Sequence, residues 1–231
     1  MDIKELLIDD ATKKVYATNQ SDQVIVAFND VPAGKSKKKD LPDVAATNNG
    51  VSSYLFEYLE SYNVPTYFVR KLDDKSFLAK KSEYIPIIVS IYNVASKSLA
   101  ERFDIEEGKL LEFPIVEMYF KDEKQRQPMI NEYHAYALGI CERKEMTSLI
   151  RIATKVNAVL KSFFDRKKMK LINFQLQFSR LNNQILLADE LSLDTINLWK
   201  IEENGSFKKY PEGKAKDSKT YQELRAVILG E

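Results

Sequence analysis

A chain of 231 residues with 44% hydrophobic side chains is long enough for one or two domains around a sizeable core, and its 35 basic and 34 acidic residues leave a net charge of +1 with no bulk field to favour nucleic acid or membrane. One cysteine, Cys141, excludes an intramolecular disulfide and fits a reducing cytosol, while one histidine, His134, excludes a multi-histidine metal site. Seven glycines weigh against glycine-rich phosphate loops, no stretch nears the ~20 apolar residues of a membrane span, and Met1-Asp2-Ile3-Lys4-Glu5 does not begin a signal peptide.

In chain order, residues 15–17 and 24–28 read as a hairpin turned at 19–22, followed by a loop with a lysine cluster at Lys35, Lys37, Lys38 and Lys39. Val51, Tyr54, Leu55, Tyr58 and Leu59 recur at i, i+3, i+4, i+7 and i+8, the pattern of an amphipathic helix. Segments 66–69 and 77–80 read as strands, and 85–91 as a buried strand with Pro86 near its start, where a missing amide is tolerated. The crossing between two lobes is placed near 82–86, giving an N-terminal lobe of 1–84 and a C-terminal lobe of 85–231. In the second lobe a helix near 98–103 and a strand at 115–120 precede the clearest helix, 145–164, which carries Leu149, Ile152, Val156, Val159 or Leu160, and Phe163 on one face. Strand 171–179 alternates strictly. Ile172, Phe174, Leu176 and Phe178 face a core, and Asn173, Gln175 and Gln177 turn three amides to a cleft. The chain turns at Asn182-Asn183 into a strand at 184–188. A polar, lysine-rich tail at 202–218 is expected to be mobile, and a short helix at 219–229 follows it.

The alternating strand also carries a resemblance. Leu171-Ile172-Asn173-Phe174-Gln175-Leu176-Gln177-Phe178-Ser179 resembles the Leu-Ile-Asp-x-Lys-x-Glu-Phe-Gly motif of the SAICAR synthetase (phosphoribosylaminoimidazole-succinocarboxamide synthase) family, with each charge exchanged for a neutral side chain. Further islands occur in the family's order: Lys13-Lys14-Val15-Tyr16, Asn48-Asn49, Ile105-Glu106-Glu107-Gly108, Pro128-Met129-Ile130-Asn131-Glu132-Tyr133-His134, Ala188-Asp189-Glu190-Leu191-Ser192-Leu193-Asp194 and Leu198-Trp199. The resemblance implies an α+β fold of two lobes, a small antiparallel-sheet lobe of nucleotide-binding type and a larger α+β lobe. It also implies an ancestral reaction in purine biosynthesis, the ATP- and magnesium-dependent joining of aspartate to a carboxyaminoimidazole ribonucleotide through an acyl phosphate.

Position by position, the implied site is remodelled. Where the family has Gly-Lys-Ala-Lys around the ATP phosphates, this chain has Asp10, Ala11, Thr12 and Lys13, so one of two cations survives. Lys13 is the implied phosphate contact, with an exposed strand lysine as the competing account. In the family's Pro-x-Glu-x-x-x-Arg-x-x-x-x-Gly-Ser stretch, Ile88 replaces the glutamate, Tyr92 the arginine and Lys97 the glycine. Ser98 is retained as a substrate contact or as a helix N-cap. Asn173, Gln175, Gln177 and Asn197 replace aspartate, lysine, a metal-binding glutamate and arginine. Asp189 and Glu190 are retained and are the implied magnesium ligands, though two acids in a turn are also an ordinary structural feature. Asp194 reads as a cap for the segment after it. Residues 216–222 stand where the family has a basic Asp-Lys-Asp-Arg-Phe-Arg stretch.

Losing one preorganised transition-state donor costs ~2.7–4 kcal/mol, and so many losses around one cleft point to a pseudoenzyme or repurposed paralogue that binds a ligand or a protein partner. The partner implied is a second copy or another family member, since bacterial members commonly form homodimers. The alternative is a divergent ATP/Mg-dependent amide-forming ligase that keeps Lys13, Asp189 and Glu190. If the nucleotide site does not survive, no cofactor is expected. Nucleic-acid binding through Lys35–Lys39 is disfavoured, because no aromatic residues interleave with the lysines. His134 and Cys141 read as structural, and the letters Gly213-Lys214-Ala215-Lys216 as a chance copy of the phosphate motif in the tail.

Overall fold

The computed structural model describes residues 2–10, 12–30, 44–121, 127–212 and 216–231. Ala11, the Lys35–Lys39 cluster and residues Gly213, Lys214 and Ala215 lie outside the described residues. Strands β1 (Ile3–Asp9), β2 (Lys13–Thr18), β3 (Gln23–Phe28), β4 (Phe68–Lys71) and β5 (Ser76–Lys80) form an antiparallel sheet in the order β1-β2-β3-β5-β4. The helix announced by its apolar period is α1 (Val44–Ser61). It buries Val51, Leu55, Phe56 and Leu59 against this sheet, where Phe56 stacks on Phe68 with centroids 5.7 Å apart. Sequence reading missed β1, and the reason is physical. All seven of its residues are exposed, so no buried face imposes an alternation.

The second sheet contains β6 (Glu83–Val94), β7 (Leu110–Phe120), β8 (Met129–Ile130), β9 (Met169–Leu181), β10 (Gln184–Ala188), β11 (Ile196–Ile201) and β12 (Phe207–Lys208). Its order is β12-β11-β9-β6-β7-β8, and β10 pairs the far half of β9. Helices α2 (Lys97–Phe103), α3 (Glu132–Ala137) and α4 (Arg143–Arg166) complete this part. Leu149, Val156, Leu160 and Phe163 of α4 join Phe174, Leu176 and Phe178 of β9 in one core. The amides of Asn93 and Asn157 pair inside it at 2.8 and 3.0 Å, which satisfies both without a charge. The architecture is α+β.

Packing α4 on one face of the sheet leaves the other face polar. Register sets Ile88 beside Gln177 and Tyr119, Ser90 beside Gln175 and Glu117, and Tyr92 beside Asn173 and Ile115. These rows floor a cleft. The two sheets are joined along its side by Thr66 and Leu187, with Tyr67 N to Leu187 O at 2.9 Å and Leu187 N to Pro65 O at 2.9 Å.

Three expectations need correction. The tail is not a loose polar segment over its described residues: it forms β12, buries Tyr210 and seals Lys216 to 1% exposure. The N-cap of α2 is Ser96, which accepts from Leu99 N, and Ser98 is the second residue inside the helix. Asp194 does not cap a helix. It accepts 2.9 Å from Asn48 Nδ2 on α1 and also accepts from the Tyr221 hydroxyl on α5 (Ser218–Leu229). That helix lies along α1, where Leu229 approaches Gly50.

Candidate functional site

Lys13 stands at the start of β2 with its Nζ 2.8 Å from Asp189 Oδ1 and 2.8 Å from Glu190 Oε1. The three residues are 5%, 4% and 5% exposed, so the account of Lys13 as an exposed strand lysine does not hold. Burial opposes its charge, but the two carboxylates overcome that penalty and hold the ammonium well above its ordinary pKa. Asp189 follows β10 in the left-handed backbone region at φ 69°, which aims its side chain back toward the strand pair. Its carbonyl accepts from the Tyr67 hydroxyl, and its Oδ2 accepts from Gln177 Nε2. The oxygen of the same amide accepts 2.8 Å from Lys121 Nζ. Gln177 therefore links a cation just past the end of β7 to the acid pair. Burial, with Asp189 nearby, also raises the Tyr84 hydroxyl.

Glu190 Oε2 is buried and has no hydrogen-bond partner among the described residues. An orphaned carboxylate oxygen beside a second carboxylate fits a magnesium ion that takes its remaining ligands from phosphate and water. Among the described residues no group of three or more metal-ligating side chains exists. Asp189 and Glu190 are thus a partial ligand set of the kind that a metal–nucleotide pair completes.

The remodelled positions gather in a neighbouring cavity of about 280 Å³ on the polar floor. Tyr92, Ser98, Asn173, Gln175 and Asn197 all line it. Ile88 is a buried residue of the floor itself, two positions before Ser90 and in register with Gln177. Lys97 points away into water, 4.0 Å from Glu101. Asn197 Nδ2 donates to Asn173 Oδ1 at 2.6 Å, and Lys216 Nζ donates to Leu193 O at 2.7 Å and Asn197 Oδ1 at 3.1 Å. Burial lowers Lys216 to about 8. Arg102 forks onto Glu117 at 2.9 and 3.0 Å, and Tyr119 donates to the same carboxylate at 2.6 Å, on the edge of the floor next to Tyr92. His134 closes a capping box with Asn131 on α3, and Cys141 is buried with its thiol pushed up to about 11, so both are structural.

Sequence reading missed Lys121, Ser90, Lys216 and the Arg102–Glu117 fork. Register would have found Ser90, since it precedes Tyr92 by two on the same face. Nothing local marks Lys216 as buried.

The sequence model of the SAICAR synthetase family matches residues 7–226. The chain belongs to that family. It is 41% identical over 200 residues to a phosphoribosylaminoimidazole-succinocarboxamide synthase of Pelodictyon phaeoclathratiforme, covering 86% of this chain and 85% of that one. The corresponding synthase of Clostridium acetobutylicum is 39% identical over 201 residues, 86% of each chain. Among solved structures, a SAICAR synthetase in complex with ADP superposes with a TM-score of 0.86 at 30% identity, covering 98% of both chains. The synthase of Ehrlichia chaffeensis gives 0.81 at 30% identity over 98% of this chain and 94% of that one. As a SAICAR synthetase family member, this chain keeps the acid pair and the hairpin lysine in contact. Positions 88, 92, 173, 175, 177 and 197 carry the uncharged residues Ile, Tyr, Asn, Gln, Gln and Asn.

Proposed function

We propose that the protein is a divergent ATP- and magnesium-dependent carbon–nitrogen ligase of the cytosol, of the phosphoribosylaminoimidazole-succinocarboxamide synthase type, serving purine biosynthesis or an adjoining pathway. The observation that carries this reading is the buried contact of Lys13 with Asp189 and Glu190 at the junction of the two sheets, with Glu190 Oε2 unpaired among the described residues. Relatives at 36–41% identity bearing that name support it over loss of activity. In such a ligase a carboxylate oxygen takes the terminal phosphoryl of ATP, ADP leaves, and an amine then displaces phosphate from the acyl phosphate. Lys13 would hold a phosphate oxygen as a point charge. Asp189 and Glu190 would share the magnesium, which supplies charge neutralisation at the transferring phosphoryl. A specific observation favours a second reading, a retired site: among the described residues no lysine or arginine lines the cavity.

Calorimetric titration with ATP, with and without magnesium, separates the two readings. Nucleotide at about a hundred times its dissociation constant stabilises the fold by ~2.7 kcal/mol. Magnesium-dependent binding abolished by Asp189→Asn is the result expected of the ligase. No binding at millimolar ATP, together with failure to restore growth to a strain lacking SAICAR synthetase, sinks that reading in favour of the retired site. For quaternary structure the proposal is a homodimer across the β7–β8 edge, or a heteromer with a family member through the same face. Leu110, Phe113 and Met129 there are 57%, 75% and 53% exposed.

A further inference from the structure

We propose that Lys13 occupies the metal position of the acid pair: its ammonium bars free divalent cations from Asp189 and Glu190, and it yields the carboxylates only when a phosphate takes it in their place. The second half deepens the ligase reading and rests on it. The first half rests on the geometry of the acid pair alone.

Nearly every oxygen that a metal would need already has a donor. Lys13 Nζ lies 2.8 Å from Asp189 Oδ1 and 2.8 Å from Glu190 Oε1. Asp189 Oδ2 accepts from Gln177 Nε2, and the oxygen of that amide accepts from Lys121 Nζ at 2.8 Å. Among the described residues, that leaves Glu190 Oε2 open and the other side-chain oxygens of these three residues engaged. Magnesium demands an octahedral shell at ~2.0–2.1 Å, which a single open oxygen does not begin to supply. An ion on Asp189 Oδ1 or Glu190 Oε1 would also lie no more than about 5 Å from the ammonium. Two cations that close in a buried site repel strongly.

Charge points the same way. Lys13 and Lys121, the second reaching the pair through Gln177, match the two carboxylates. The Tyr67 hydroxyl donates to the Asp189 carbonyl and adds no charge. Asp194, the next acid along the turn, accepts from Asn48 and Tyr221 and faces the Lys216 ammonium. A free dication therefore meets a pair whose charge is already balanced. A polyphosphate changes that. It offers the ammonium another anion and the metal further oxygen ligands. Lysine carries its charge on a flexible four-carbon stem, so the head group can exchange partners while Lys13 stays in register with Phe28 on β3.

The test is titration of the full chain with manganese ions, followed by their paramagnetic resonance signal, which is lost on binding. Lys13→Met should bind free manganese at least about tenfold more tightly than the unaltered protein, and adding Asp189→Asn to that variant should cancel the gain. The unaltered protein provides a second measurement that needs no variant to fold. Its melting midpoint should be unmoved by millimolar manganese alone and raised by manganese with ATP. Equal affinity of Lys13→Met and the unaltered protein for free manganese overturns the proposal. So does a midpoint raised as far by manganese alone as by manganese with ATP. If ATP binds in no form while Lys13→Met keeps its gain, the ligase falls and the exclusion of free cations stands.

Discussion

Lys13 separates two carboxylates that would otherwise share a dry site, and its effect on stability follows from that position. Replacing it with methionine leaves Asp189 and Glu190 buried without a cation. Breaking a buried pair in this way costs ~3–5 kcal/mol, so urea denaturation of Lys13→Met should show a loss of that size. Because the folded pKa of Lys13 is raised, its stabilisation is complete below the unfolded value and fades only as strongly alkaline pH passes the folded one. Lys216 has the opposite sign. Its folded pKa is lowered to about 8 from the usual 10.5, so between those values the unfolded chain binds more protons. Its contribution to stability therefore rises with pH across that window, by on the order of 3 kcal/mol. Lys216→Met should flatten that rise when the two proteins are unfolded side by side from about pH 8 to about pH 10.5. Cys141, raised to about 11, gives both proteins the same falling term, and the difference isolates Lys216.

At the scale of elements, α5 matters more than its length suggests. Its first turn is capped by Asp217, which accepts from Thr220 N at 2.8 Å, and its face buries Tyr221, Leu224 and Ile228. Tyr221 then donates to Asp194, and Asn48 reaches the same carboxylate from α1. Asp194 thus ties a turn of the second sheet to two helices on the first. Tyr221→Phe keeps the ring and deletes a bond to a charged group, so thermal unfolding should register a loss of ~1.5–3 kcal/mol. Elements with one buried face were legible in the sequence: α1, α4 and β9 all announce themselves by period. Elements without that contrast were not. β1 is exposed throughout, and β12 is two residues long within a polar stretch whose order comes from Trp199, Phe207 and Tyr210 packing nearby.

For the whole molecule, a near-neutral composition accompanies a cleft floor that includes amides, a tyrosine and an isoleucine. Outside the cleft, the exposed apolar residues of β7 and β8 are the surface on which assembly is testable. Phe113→Asp should convert a dimer to monomer in sedimentation velocity, whereas an unchanged sedimentation coefficient would remove that face from consideration. Among the described residues no helix is long and apolar enough to cross a membrane.

The sequence by itself determined the family, the α+β frame, the neutral face of β9 and the presence of Lys13, Asp189 and Glu190, because these are written in residue identity and local period. Only the tertiary structure decided that Lys13 is buried between the two acids, that Gln177 relays Lys121 to Asp189, that Ser90 lines the cavity and that Lys216 is buried against its wall residue Asn197. Those facts depend on residues 177 and 19 positions apart in the chain meeting across strands and turns. Burial and hydrogen-bond satisfaction are properties of that meeting, and no local pattern of side chains carries them.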